Sequence, residues 1–243
     1  MILRRLTQHI RDQNWFAVGL DFLIVVLGVF IGMQVNSWNA EREARAGERR
    51  YLERLREDVA VSIKQNEWRI AFMERQNRYS TLALDRLETC EVPEQDRVSF
   101  ANAFYHAGKS LPPILLRGVI NELNATGNFQ TIRNEELRDA ITKATEAIET
   151  SNLIFSNVLI RANPHVVYVE SQLEYHITGA RDGSVDIAWD EVAFDLGTLC
   201  ADKRFRGALS VSRAYTNDML NNVARTLDQQ RELVKMIDAE LAP

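Results

Sequence analysis

Residues 15–35, WFAVGLDFLIVVLGVFIGMQV, form an apolar run in which only Asp21 and Gln34 are strongly polar. A helix of about 20 such residues crosses a hydrocarbon core of about 30 Å, so this run is long enough to be a membrane span. Trp15 and Trp38 are separated by about 35 Å of helix at ~1.5 Å per residue. That separation puts the two indoles, with Asn39 beside the second, at the two headgroup zones, where tryptophan is favoured. The rival reading is a cleaved signal peptide. Arg4, Arg5 and Arg11 precede the run, and Val35-Asn36-Ser37 is a weak cleavage candidate. A signal core has only ~7–15 apolar residues, and this run is longer and holds an aspartate, which favours an anchor. The chain then divides into a basic tail (1–14), a transmembrane helix (15–35) and a domain at 36–243, with the lipid bilayer as its first partner.

Flanking charge alone leaves the orientation open. Three arginines precede the span, and Arg42, Arg45, Arg49, Arg50 and Arg54 follow it, interleaved with Glu41, Glu43, Glu48 and Glu53. A helix carrying both signs is a solvated face before it is a topology signal. Residues 36–243 keep 26 of the 29 Lys and Arg and 32 of the 34 Asp and Glu. That acidic balance argues against nucleic acid, whose phosphates demand clustered positive charge.

With 11 glycines and 5 prolines in 243 residues, the composition suits long helices. Leu52, Leu55, Val59, Ile63, Ile70, Met73, Leu84 and Leu87 recur at helical spacing, interrupted on the same stripe by Asn66 and Asn77. This predicts one long helix leaving the membrane and ending near Cys90, with Gly47 as a weak point. Further helices are expected at about 96–107, at 114–125 with Gly127 as its stop, and from Asn134, a cap residue, to about Arg161, where Asn163-Pro164 interrupts. A last helix is expected at about 202–241. YHITG and VDIAW allow a small β-hairpin near 175–190. The expected class is all-α: the span continuing into an antiparallel bundle of about four long helices, coiled-coil-like in its packing.

Chemistry-bearing motifs are scarce. A carboxylate inside a span is a functional candidate by default, which singles out Asp21. Its sharp reading is the proton-carrying acid of an ion-coupled stator, and its bland one a protonated or snorkelling side chain. Gly28 and Gly32 form a G-x-x-x-G pair that lets two helices approach closely, so a homo-oligomer is the expected assembly. Cys90 and Cys200 are the only cysteines. They end the first long helix and precede the last, so they either pair, in an oxidising compartment, or are two separate thiols. His9, His106, His165 and His176 are scattered, and no metal, phosphate or dinucleotide motif occurs. No metal or cofactor is expected, and an enzyme would need a non-motif carboxylate site. The like-sign pairs Glu53/Glu57 and Arg50/Arg54 oppose isolated helix formation, so this stretch gains its order from partners.

Two segments carry a resemblance. The first is GLDFLIVVLGVFIGMQVNSWNAER, an acid opening the span and Gln34, Trp38 and Asn39 closing it. The second is Asn121-Glu122-Leu123-Asn124-Ala125-Thr126-Gly127, followed by Ile132-Arg133-Asn134-Glu135-Glu136-Leu137-Arg138. Both resemble an uncharacterised family of bacterial single-span membrane proteins, of the domain of unknown function 6090 type. The chain departs from that family's pattern at Lys143-Ala144-Thr145, where tyrosines are expected. The resemblance implies the inner membrane, the N-terminus inside and the bundle outside. It brings no activity with it, so the expectation is a non-enzymatic protein acting in assembly or sensing.

Overall fold

The computed structural model describes residues 15–174, 177–181, 184–187 and 192–242. The chain is helical, with one long apolar helix on its N-terminal side. In order come α1 (Trp15–Thr89), α2 (Arg97–Tyr105), α3 (Gly118–Ala125), α4 (Glu135–Glu170), α5 (Leu196–Ala201) and α6 (Lys203–Leu241). Short 3-10 turns at Glu94–Asp96 and Asn128–Thr131 lead into α2 and α4. Between α4 and α5, β1 (Ile177–Arg181) pairs antiparallel with β2 (Ser184–Ile187). The turn residues Asp182 and Gly183 lie outside the described residues. One compact unit ends at Tyr51 and a second begins at Leu52.

In the second unit, α1 and α6 run antiparallel. Arg56 pairs with Asp238, Asn66 Nδ2 donates to Gln230 Oε1 at 2.9 Å, and Arg231 meets Glu67 at 2.8 Å. Helix α4 is also antiparallel to α6. Asn134 Nδ2 donates to Glu240 at 2.9 Å at one end, and the Tyr168 hydroxyl donates to Asp202 at the other. Local chemistry sets the helix starts. Asn134 accepts from the Leu137 N–H, and Asp202 accepts from the Arg204 and Phe205 N–H groups, satisfying donors that have no partner within the helix. At the end of α3, Gly127 takes the left-handed φ of 70°, which glycine adopts without steric cost.

Three expectations change. Among the described residues three helices are long, not about four, because the return from α1 to α4 is broken into α2, an extended stretch (109–116) and α3. Residues 114–117, expected to be helical, precede the helix, which begins only at Gly118. In addition, α4 continues through Pro164 to Glu170. Proline removes one helical hydrogen bond and crowds the carbonyl four residues back. Pro164 stands on the exposed side, where water can serve that carbonyl, while Ala162 and Val169 on either side are buried in the core.

The reason for the extended stretch lies in α1. Asn66, fully buried, accepts from the Ile114 N–H at 3.0 Å and donates to the Ile114 carbonyl at 2.8 Å. Gln230 donates to the same carbonyl. The Ser62 hydroxyl accepts from the Leu116 N–H at 2.8 Å, and Arg69 donates to the Pro112 carbonyl at 3.0 Å. Asp58 accepts from the Val119 N–H at 3.3 Å. It thereby caps α3, whose own cap residue, Arg117, contributes no side-chain bond. Pro113 and Leu115 turn inward while Leu116 is exposed, the alternation of an extended chain.

Above this clamp, Phe100, Phe104, Phe205, Leu87, Leu199 and Leu209 build the main core. The Phe100 and Phe104 rings meet edge to face at 4.6 Å, and those of Phe104 and Phe205 at 5.1 Å, arrangements that aromatic quadrupoles favour. A smaller cluster of Met73, Met219 and Val223, packed by Phe155 and Val158, joins α1, α4 and α6. Glu53 and Arg54 lie in the like-sign run that was expected to order through partners. One such partner is inside the chain: Arg54 grips Glu122 with two hydrogen bonds, at 2.6 and 3.3 Å.

Asn66→Leu leaves the half-buried Ile114 N–H without its acceptor and is expected to cost about 1–3 kcal/mol. Gln230→Leu, which leaves the Ile114 carbonyl still bonded to Asn66, should cost about 1 kcal/mol. Equilibrium urea unfolding of the full chain in detergent measures both.

Candidate functional site

A cleft of about 320 Å³ opens where the loop after α2 meets α4. Its apolar walls include Phe72, Leu111, Leu159, Ala162 and Val166, and its polar groups are Lys109, Ser110, Asn163 and Glu170. Gly108 makes the close approach possible. Its φ is +66°, and a Cβ there would stand 2.5 Å from Val166 Cγ2, so the loop packs backbone-first onto α4. A larger depression of about 410 Å³ follows Asn77–Arg86. Its lining comes from one helix alone, so it is a surface groove rather than a walled site.

The ionisable groups of the cleft are perturbed by burial. The Lys109 amine sits 3.3 Å from the centre of the Tyr105 ring, a cation–π contact. Burial lowers its pKa, against an opposing pull from Glu170. The Glu170 carboxyl is raised by burial and partly drawn back by Lys109. His106 lies beside the cleft with its ring edge-on to Phe72 and Tyr105. Burial first, then the charges of Lys109 and Arg75, push it down to about 4. The arrangement suits a ligand with an apolar body and a polar end. It offers one carboxylate, where general acid–base work by paired carboxyls needs two. Among the described residues, no group of three His, Cys, Asp or Glu is placed to hold a metal ion.

The residues singled out in the sequence fall in two places. Trp15, Asp21, Gly28, Gly32, Trp38 and Asn39 all lie in α1; the side chains of Trp15 and Asp21 lie outside the described ones. A Cβ at Gly28 or Gly32 would meet nothing within 4 Å, so this face is open. Trp38 is exposed, with the Arg42 guanidinium 6.0 Å from its ring. The apolar stretch has a mean hydropathy of 1.5, none of it buried, and is long enough to cross a membrane. Far along the chain, Cys90 and Cys200 are brought together in a disulfide, with Cα atoms 5.7 Å apart. Closing a loop of this length removes denatured-state entropy worth about 4–5 kcal/mol. Cys90 has a φ of +52°, the one positive value at a non-glycine among the described residues. The bond holds a helix end where glycine is the usual residue.

Sequence reasoning passed over the cleft. His106 counted as one of four scattered histidines, and Lys109 and Glu170 belong to no motif. The one local signal was a glycine and a lysine between a helix end and Pro112-Pro113. No family model, curated protein or solved structure matches the chain.

His106 gives the fold a definite acid response. In the unfolded chain it takes up a proton near 6.5, but in the fold only near 4. Between those values the unfolded state binds the extra proton, so stability falls as pH drops through this window and is unaffected by His106 above it. Glu170, raised in the fold, acts in the opposite sense. His106→Gln should therefore flatten the loss of stability between pH 6.5 and 4, by less than one proton's worth because the ring is half-buried. Urea midpoints across that range measure the slope.

Proposed function

We propose that the chain is a non-enzymatic, membrane-anchored protein of the bacterial inner membrane that acts in assembly or sensing through self-association. Its extracytoplasmic part is an antiparallel bundle of about four helical columns, the fourth broken at the extended stretch. The observation that carries this reading is the Cys90–Cys200 disulfide in a chain whose apolar segment precedes both cysteines. Disulfides persist in oxidising compartments and are rare in the cytosol. Arginines flank the span on both sides, so charge leaves the orientation open, and the disulfide together with the family resemblance is what favours the bundle outside.

Three further features support the reading. Among the described residues nothing covers the apolar stretch of α1, and an exposed apolar surface of that size needs lipid or a partner. The open face at Gly28 and Gly32 suits close helix pairing. The resemblance of the span and of the segment around Asn121–Arg138 to bacterial single-span proteins points to the same membrane.

Thiol labelling in intact cells tests it. A membrane-impermeant maleimide should label neither cysteine before reduction, and both Cys90 and Cys200 after an impermeant reductant. Free thiols that label only once the inner membrane is permeabilised would place the bundle in the cytoplasm and overturn the reading.

A further inference from the structure

Helix α4 shows an apolar stripe on the side away from its core. Leu153, Ile160 and Val167 are 67%, 73% and 54% exposed. Seven residues apart, they lie within about 40° of one another around the helix. Ser151, Ala162 and Val169, which are buried, point roughly the opposite way. No charged residue occurs between Glu149 and Arg161, although this face is open to solvent. Single exposed apolar residues are ordinary. A seven-residue repeat of them on a charge-free helix face is the pattern of a helix that packs against another helix.

The size of the stripe narrows the occupant. An aliphatic side chain removes about 60–120 Å² from water at ~25 cal/mol per Å². Three such side chains on each of two helices supply well under the ~1,200–2,000 Å² that holds two freely diffusing proteins together. A contact this small forms stably only between molecules already confined near each other, where a shared tether raises the effective concentration. The span proposed above confines copies of this chain to one bilayer. The stripe is also self-complementary: its middle residue meets its own counterpart whichever way the two helices run, as a two-fold contact requires.

We propose that the Leu153–Ile160–Val167 stripe of α4 is where a second copy of the chain, anchored in the same bilayer, packs its own α4. This rests on the self-association reading and assigns it a surface. The test uses the purified full chain in phosphatidylethanolamine/phosphatidylglycerol vesicles, with the Cys90–Cys200 bond intact. Oxidation of Ile160→Cys should give a covalent dimer, whereas Glu232→Cys, exposed on α6, should give little. Energy transfer between donor- and acceptor-tagged copies should fall about five-fold or more in Ile160→Asp, with an unchanged circular dichroism spectrum. If transfer persists in Ile160→Asp and Ile160→Cys forms no dimer, the stripe is not the contact and self-association lies elsewhere. If the unaltered chain shows no transfer at any protein-to-lipid ratio, self-association itself fails and the stripe with it.

Discussion

A backbone that is taken out of water without a helix or sheet to pair with must find its hydrogen bonds in side chains. That constraint organises the second unit. Residues 109–116 run extended beside α1, and Ser62, Asn66 and Arg69 on α1, with Gln230 on α6, serve their peptide groups, while Asp58 caps the start of α3. Asn66 is the centre of this arrangement. Its amide reproduces the donor–acceptor pair of a neighbouring strand, holding both the N–H and the carbonyl of Ile114. Each of these polar side chains would be costly to bury alone. Satisfied together, they fix the register of α1 against α6, because Asn66 and Gln230 meet on the same carbonyl.

The two ends of the stretch inherit its position. At one end the chain turns through Gly108, and the cleft with Lys109 and Glu170 forms where that turn touches α4. At the other end α3 begins under the Asp58 carboxylate, and Glu122 on α3 is then in reach of Arg54. The disulfide closes the opposite end of the bundle, tying the first residue after α1 to α5. The clamp and the covalent bond thus hold α1 at separate levels, with the aromatic core and the Met73 cluster between them.

What could be read from the sequence was what local chemistry decides. The apolar run was evident because its length and composition are contiguous in the chain. Gly127 and Asn134 marked helix ends because a left-handed residue and a capping amide act within a turn of the chain. The cysteines could be considered a pair because each flanks a long helix. The extended stretch was hidden because ILLRGVINEL has helical periodicity, and the side chains that override it lie far earlier in the sequence. Asn66 was visible as a flaw in an apolar stripe, and its meaning appeared only with Ile114 opposite. Pro164 misled because a proline rule about isolated helices gives way when buried residues on both sides pin the helix. Lys109 and Glu170 come together only through the fold, so no motif announces their cleft.

Amide hydrogen exchange of the segment after Pro112-Pro113 addresses the clamp most directly. Neither proline carries an N–H, so the first amides reporting there are those of Ile114, Leu115 and Leu116. If Asn66 and Ser62 hold this backbone, Ile114 and Leu116 exchange as slowly as the core of α6, despite lying in no helix or sheet. Exchange of both at the rate of an unprotected loop would contradict the claim that α1 side chains substitute for secondary structure.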